Sequence, residues 1–156
     1  MRKALNAILA LALMLGARAN ASPPAPVDAG LLDFFVGTYE VIGRQPGAGR
    51  MYSGTVEVTL DGDHLRLRRT VRRTAGGGDL GAELRSEGSA RLEERTADRI
   101  RVLTAEFREA DQTFEAWCAI GSGLDNDPRL TCRVRPRGVA SAAPGLEAWF
   151  FRLPER

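Results

Sequence analysis

The strongest constraint on the fold is a turn signal that joins two alternating segments, within residues 51–74 of this 156-residue chain. Before the turn, apolar and polar residues alternate, and the apolar positions are Val56, Val58 and Leu60. This two-residue period is typical of a half-buried β-strand. Asp61-Gly62 follows as a β-hairpin signal, and Leu65 to Thr74 resumes the alternation. The sequence therefore predicts an antiparallel hairpin.

The register of this hairpin decides which side chains meet across the two strands. A two-residue turn at Asp61-Gly62 pairs Leu60 with Asp63, Val58 with Leu65 and Val56 with Leu67. The same register sets Glu57 opposite Arg66 and Arg69 opposite Gly54, which leaves room for the arginine. A four-residue turn over Asp61 to His64 keeps the same faces.

Arg69 is the anomaly of the hairpin, because it shares the apolar phase of the second strand with Leu65, Leu67 and Val71. A charged side chain on a buried face needs a partner. We hypothesise that Arg69 points into the interior and pairs with an acidic ligand group or an internal carboxylate such as Glu106. The alternative is an arginine at the rim that extends to solvent.

Six further segments have strand character, and they are residues 31–43, 82–92, 99–107, 112–120, 130–136 and 146–153. Within residues 31–43, Phe34 and Phe35 form a bulky apolar plug just before the strand itself. Gly88 predicts a bulge or bend in its segment, and residues 99–107 change phase midway, which indicates a bulge or burial on both faces. Residues 146–153 are apolar on both faces, as expected of a central or closing strand.

Cys118 and Cys132 are the two cysteines of the chain. If they pair directly across neighbouring strands, Ile120 meets Leu130 and Ala116 meets Val134. One register then satisfies both the cysteines and the apolar pattern, so we predict a Cys118–Cys132 disulfide that holds the two strands in register.

The predicted fold class is all-β, a single antiparallel up-and-down barrel of about eight strands, because turn signals separate the strands and no amphipathic helix is evident. A two-sheet β-sandwich is the alternative.

The first 21 residues are typical of a secretory signal peptide. A basic start precedes the apolar run Ala4 to Leu15 and the small-residue site Ala19-Asn20-Ala21. A membrane anchor is the alternative, but the run is too short to span a bilayer comfortably. We expect a periplasmic or secreted protein with no membrane span after cleavage, a flexible lead-in over residues 22–30 and a barrel domain over residues 31–156.

Charge argues against a nucleic-acid partner. Of 22 basic residues, Arg2, Lys3 and Arg18 lie in the leader, whereas none of the 20 acidic residues do, so the exported domain is close to neutral. We expect Glu57, Glu83 and Glu87 to neutralise the outward stripe of Arg66, Arg68 and Arg72; the alternative is an anion-binding surface.

No catalytic, cofactor or metal site is predicted. The single histidine, His64, lies beside the turn and is interpreted as a solvated residue. Asp125-Asn126-Asp127 offers oxygen ligands for calcium but lacks the spacing of an EF-hand loop. We therefore interpret these residues as part of an ordinary polar loop.

Gly37-Thr38-Tyr39 after an apolar lead-in, followed by Tyr52-Ser53-Gly54-Thr55-Val56, resembles the start of lipocalin-like (calycin) barrels and of small exported bacterial domains of that structural group. Tyr39 stands where lipocalins have tryptophan. The resemblance covers residues 31–71 and implies a barrel with a ligand cavity.

The leading functional hypothesis is a non-enzymatic binding protein that holds a small apolar or amphiphilic ligand in the barrel. The expected ligand-binding residues are Tyr39, Arg69, Trp117 and Trp149. The alternative is a protein-interaction module that inhibits an exported enzyme, such as a cell-wall hydrolase, through the loop from Gly121 to Arg129.

Overall fold

Eight strands and one short helix make up the described part of the chain. The computed structural model describes residues 29–47, 49–74, 80–95, 100–121, 128–139 and 143–153. Helix α1 spans Ala29–Asp33. The strands are β1 (Gly37–Arg44), β2 (Met51–Asp61), β3 (His64–Thr74), β4 (Leu80–Arg95), β5 (Ile100–Glu109), β6 (Gln112–Ile120), β7 (Leu130–Pro136) and β8 (Gly145–Phe151).

The strands form one closed up-and-down barrel. Each strand pairs antiparallel with the next one in sequence, and β8 pairs with β1 to close the sheet. This confirms the all-β barrel prediction over the sandwich, and it confirms residues 146–153 as a closing strand. Closure leaves no free sheet edge, so the backbone groups of every strand face a neighbour.

The barrel core follows from the two-residue period of the strands. Inward positions are apolar and buried, as in β1, where Tyr39 and Val41 are buried and Thr38 and Glu40 are exposed. The largest fully buried apolar side chains are Trp149, Tyr39, Phe35, Leu32, Leu65, Leu67, Leu103 and Leu130.

The two ends of the barrel differ. At one end, which we call the helix end, α1 precedes β1 and places Leu32 and Phe35 in the core. The turn between β2 and β3 lies at this end. At the other end, which we call the far end, lie residues 45–47 and 49–50, which follow β1, and the turn between β5 and β6.

The sequence placed a flexible lead-in over residues 22–30 and an apolar plug before the first strand, whereas α1 occupies Ala29–Asp33; β1 begins at Gly37, after the plug, as expected. The apolar pair Leu31-Leu32 therefore belongs to a helix whose buried side chains close the barrel. The predicted signal peptide, residues 1–21, and most of the lead-in lie outside the described residues. Among those described, no helix has the length and hydropathy needed to cross a membrane.

The β2–β3 register differs from the two-residue turn predicted at Asp61-Gly62. Leu60 pairs with Leu65 and Asp61 with His64, so Gly62 and Asp63 form the turn. Gly62 takes a φ of 66°, which suits glycine at the first turn position. Arg69 therefore lies opposite Val56, not Gly54, and Arg68, not Arg66, faces Glu57.

The β6–β7 prediction is confirmed in full. Cys118 pairs with Cys132, Ile120 with Leu130 and Ala116 with Val134, and the two cysteines form a disulfide.

Two predicted irregularities are absent from the described strands. The ladders on both sides of Gly88 run through it without a register shift, so Gly88 is no bulge. Strand β5 also runs straight, with Leu103, Ala105 and Phe107 inward and Ile100 exposed. The phase change in β5 therefore reflects an apolar residue on the outer face.

Candidate functional site

The barrel interior holds a buried ion pair between β3 and β8. Arg69 and Glu147 are each only 2% exposed, and Arg69 Nη2 donates to Glu147 Oε1. The hypothesis that Arg69 points inward onto an internal carboxylate is thus confirmed. The partner is not Glu106, which lies exposed on β5 and accepts from Arg137 Nη1 at 2.9 Å.

Glu147 accepts hydrogen bonds from two further buried donors. The Tyr52 hydroxyl donates to Oε1, and Trp149 Nε1 donates to Oε2 at 2.7 Å. Three donors from three different strands therefore meet one carboxylate.

The electrostatics of this cluster keep Tyr52 protonated. Burial raises the pKa of the Tyr52 hydroxyl, and the negative charge of Glu147 raises it further, while Arg69 opposes both. The phenol therefore acts as a hydrogen-bond donor to Glu147 and adds no charge to the cluster.

Arg69 has donor capacity beyond its bond to Glu147. Its guanidinium lies 4.0 Å from the centroid of the Phe107 ring, and Nη1 donates to Ser86 Oγ at 3.5 Å. Nη1 also lies 3.9 Å from Glu109 Oε2, an ion-pair distance. Among the described residues, no acceptor reaches Arg69 Nε, although this atom is buried.

A small cavity of about 20 Å³ lies beside Arg69 toward the far end. That volume is enough for about one water molecule. The cavity is lined by Gln45, Pro46, Tyr52, Arg69, Val71, Arg73, Phe107, Glu109, Phe114 and Val134. Its walls are therefore half apolar and half polar.

Arg73 and Glu109 form the polar rim of the cavity. Arg73 Nη2 donates to Glu109 Oε1, and the Arg73 side chain is 39% exposed whereas that of Glu109 is 11% exposed. The Gln45 amide, oriented with its oxygen toward Arg73, accepts from Nη2 at 3.0 Å. The rim thus joins the segment after β1 to the ends of β3 and β5.

The predicted ligand-binding residues lie in three different places. Arg69 lines the cavity. Trp149 is connected to Arg69 through Glu147, which accepts hydrogen bonds from both residues. Tyr39 lies toward the helix end, where its hydroxyl donates to the Phe35 carbonyl at 2.8 Å. Trp117 lies on the outer face of β6, with the Arg135 guanidinium 4.3 Å from its ring centroid.

Two residues of the buried cluster, Tyr52 and Glu147, were not identified as site residues from the sequence. Glu147 carries a usable signal, because it shares the inward phase of β8 with Trp149. A buried arginine requires a buried carboxylate, and Glu147 is the acidic residue of that phase.

The outward arginine stripe is neutralised by Glu87 and Glu83 as expected, but Arg66 pairs with Asp61 and not with Glu57. Arg66 lies 3.2 Å from Asp61, Arg68 lies 3.7 Å from Glu87 and Arg72 lies 3.3 Å from Glu83. His64 is half-exposed beside the turn.

The described residues contain no group of three or more histidine, cysteine or acidic side chains suited to a metal ion. Asp125-Asn126-Asp127, and with it most of the loop suggested as an inhibitory tip, lies outside the described residues.

No protein-family profile matches the chain, and no curated protein matches it. The eight-stranded antiparallel barrel is compatible with a lipocalin-like fold.

Proposed function

We propose that the protein is an exported, non-enzymatic binding protein that takes a small amphiphilic ligand at the far end of its barrel. The observation that supports this most directly is the cavity beside Arg69, where buried polar groups and aromatic rings meet at the end of the barrel opposite α1. Ligand sites are typically apolar concavities with a few well-placed polar groups.

The two kinds of wall fit the two parts of an amphiphile. Phe107 and Phe114 stack with ring centroids 5.5 Å apart, and together with Val71 and Val134 they offer apolar contact. Arg69, Arg73 and Glu109 offer hydrogen bonds to a polar head group.

The volume of the cavity limits how the ligand is seated. A site that encloses a drug-sized molecule has a volume of about 300 to 1,000 Å³, far above the cavity observed here. Only a polar head group fits beside Arg69, so the apolar part of the ligand rests at the mouth against Pro46 and Phe114.

Export is supported by the disulfide between Cys118 and Cys132. Disulfides persist in oxidising compartments and are rare in the cytosol. This agrees with the signal peptide expected at residues 1–21.

The test is native mass spectrometry of protein purified from an oxidising compartment, before and after denaturation. We expect a mass excess that is lost on unfolding, and the released molecule identifies the ligand. A bare mass, together with failure to bind any member of a set of amphiphiles, would contradict the proposal and favour the inhibitor alternative.

Two variants of β6 provide a matched comparison. Phe114→Ala removes an aromatic wall of the cavity, whereas Trp117→Ala removes an aromatic side chain from the outer face of the same strand. We expect Phe114→Ala to lose the bound molecule and Trp117→Ala to keep it. Retention by both variants, or loss from both, would place the ligand elsewhere.

A further inference from the structure

We propose that the head group of the ligand is uncharged and carries both a hydrogen-bond acceptor and a donor, as a primary amide or an alcohol does. This inference rests on the proposed binding function. It assigns the recognition of the head group to Arg69, Arg73 and Glu109.

The first argument is the charge balance of the site. Arg69 is paired with Glu147, and Arg73 is paired with Glu109. Arg69 Nη1 and Glu109 Oε2 lie 3.9 Å apart, which links the two pairs. With two positive and two negative groups, the cluster is neutral before any ligand arrives. A charged head group would therefore bring a charge that no residue of the cluster compensates, and an uncompensated charge in a partly buried site is costly.

The second argument is the hydrogen-bonding capacity that the cluster leaves unused. Arg69 Nε is a buried donor without an acceptor among the described residues. Glu109 Oε2, at 3.9 Å from Arg69 Nη1, is too far away to accept a hydrogen bond from it. One donor and one acceptor are thus available around one cavity.

An amide or alcohol uses both of these groups at once. Its oxygen accepts from Arg69 Nε or from the Arg73 guanidinium, and its N–H or O–H donates to Glu109. A carboxylate can only accept, and it would compete with Glu109 for the arginines. An ammonium can only donate, and it would meet the two guanidinium groups as a like charge.

The experiment compares hexanamide, hexanoate and hexylammonium, which share one alkyl chain and differ in the head group. Binding to the full protein is followed at pH 7 from the ¹⁵N–¹H signals of the arginine Nε groups and of Trp149 Nε1. We expect hexanamide to bind about tenfold more tightly than either ion, because an uncompensated charge in a partly buried site is costly; tenfold corresponds to about 1.4 kcal/mol. We also expect the Arg69 Nε signal to shift on binding.

Two variants change the charge of the cluster in opposite directions. Glu109→Gln leaves an excess positive charge, so we expect the preference to move toward hexanoate. Arg73→Gln leaves an excess negative charge, so we expect it to move toward hexylammonium. If the three ligands keep the same order of affinity in both variants, Glu109 and Arg73 do not determine which head group binds, and the inference is overturned.

The comparison on the unmodified protein decides the inference even if a variant fails to fold. Tighter binding of hexanoate or hexylammonium would overturn the uncharged head group while leaving the binding function intact. If none of the three compounds shifts the signals of Arg69 or Trp149, the inference is overturned. A mass excess in native mass spectrometry would then still support a ligand of another class.

Discussion

Arg69 and Glu147 lie side by side and are almost completely buried. Their mutual attraction and their hydrogen bonds must therefore offset the cost of desolvating two charges. The structure meets this requirement with donors from Arg69, Tyr52 and Trp149 on one carboxylate. The net contribution of such a pair to stability is small, but the loss of one partner leaves the other charge buried and unpaired. The two residues therefore depend on each other.

Arg69→Met tests this dependence. We expect the variant to lose about 3 to 5 kcal/mol of unfolding free energy, because Glu147 stays buried without its cation. Arg66→Met is the matched control on the outer face of the same strand, where the side chain is 56% exposed and lies 3.2 Å from Asp61. Exposed pairs contribute about 0 to 1 kcal/mol. Urea denaturation measures both variants, and equal losses, or a more stable Arg69→Met, would contradict the buried pairing.

The two tyrosines of the chain set the alkaline stability of the protein. Burial raises the pKa of Tyr39 and of Tyr52 above the model-compound value of 10.0. Below about pH 10 both residues are protonated in the folded and unfolded states, so they add no pH dependence. Above it, the unfolded chain loses these protons while the folded protein keeps them. Stability therefore falls as the pH rises above this range, and both tyrosines contribute to the fall.

Tyr52→Phe is expected to reduce this pH dependence, because only Tyr39 then contributes. Denaturant unfolding at several pH values above about 10 measures the slope. The absorbance of tyrosinate gives an independent check, since neither tyrosine should ionise before the protein unfolds. A slope unchanged by Tyr52→Phe would show that Tyr52 ionises as readily in the folded protein as in the unfolded chain.

At the scale of the elements, Gly88 lets β4 and β5 approach closely. It pairs with Leu67 on one side and Phe107 on the other. A Cβ atom at this position would lie 2.1 Å from the Glu106 carbonyl oxygen and 2.7 Å from Phe107 Cα. The missing side chain is therefore a packing requirement, not the bulge that the sequence indicated.

Gly88→Ala should cost about 3 kcal/mol or more of unfolding free energy, because the β4–β5 backbone must move to accept one methyl group. Gly62→Ala serves as the control: its φ is positive, but an added Cβ has nothing within 4 Å. We expect it to lose only about 1 to 2 kcal/mol from backbone strain. Thermal denaturation of the two variants gives the comparison, and a Gly88→Ala protein as stable as the parent would contradict the close approach.

Strand register was predictable where two independent signals coincide. For β6 and β7, the apolar pattern and the Cys118–Cys132 bridge select one pairing, and it is the one observed. For β2 and β3, a shift of two residues keeps every side chain on its face, so the alternation could not distinguish the two turns. The observed pairing of Leu60 with Leu65 is the one that the longer turn over Asp61 to His64 gives.

Only one member of the buried ion pair could be predicted from the sequence. The inward phase of Arg69 follows from local alternation, and the structure confirms it. Its partner Glu147 is 78 residues away in sequence, and it reaches Arg69 only because β8 closes against β1. The apolar residues on both faces of β8 also obscured which phase points inward.

At the scale of the whole molecule, the barrel is asymmetric along its axis. The side chains of Leu32 and Phe35 seal the helix end. Arg129 connects the segment before β1 to β8 at the same end. Arg129 Nη1 donates to the Phe34 carbonyl at 3.0 Å. Its guanidinium lies 4.4 Å from the Phe34 ring centroid and 4.1 Å from that of Phe151. The polar cavity lies toward the opposite end, so we expect a ligand to approach from the far end alone.

The adjacent residues Phe34 and Phe35 test whether the segment before β1 is part of the core. Phe35 is fully buried, whereas Phe34 is 40% exposed and contacts Arg129 from outside. Phe35→Ala should lose about 3 to 5 kcal/mol of unfolding free energy, since it leaves a cavity in the sealed end. Phe34→Ala should lose about 1 kcal/mol, the value of an exposed cation–π contact.

Urea denaturation with tryptophan fluorescence measures both variants, because Trp149 lies in the same core as Phe35. Similar small losses would mean that the helix end is not sealed by this segment, and access from both ends would have to be considered. A large loss confined to Phe35→Ala would show that residues before β1 are part of the barrel. Since the sealed end is remote from Arg69, a folded Phe35→Ala protein should also keep the ligand preference of the parent. That result would separate the role of this segment in stability from ligand recognition at the far end.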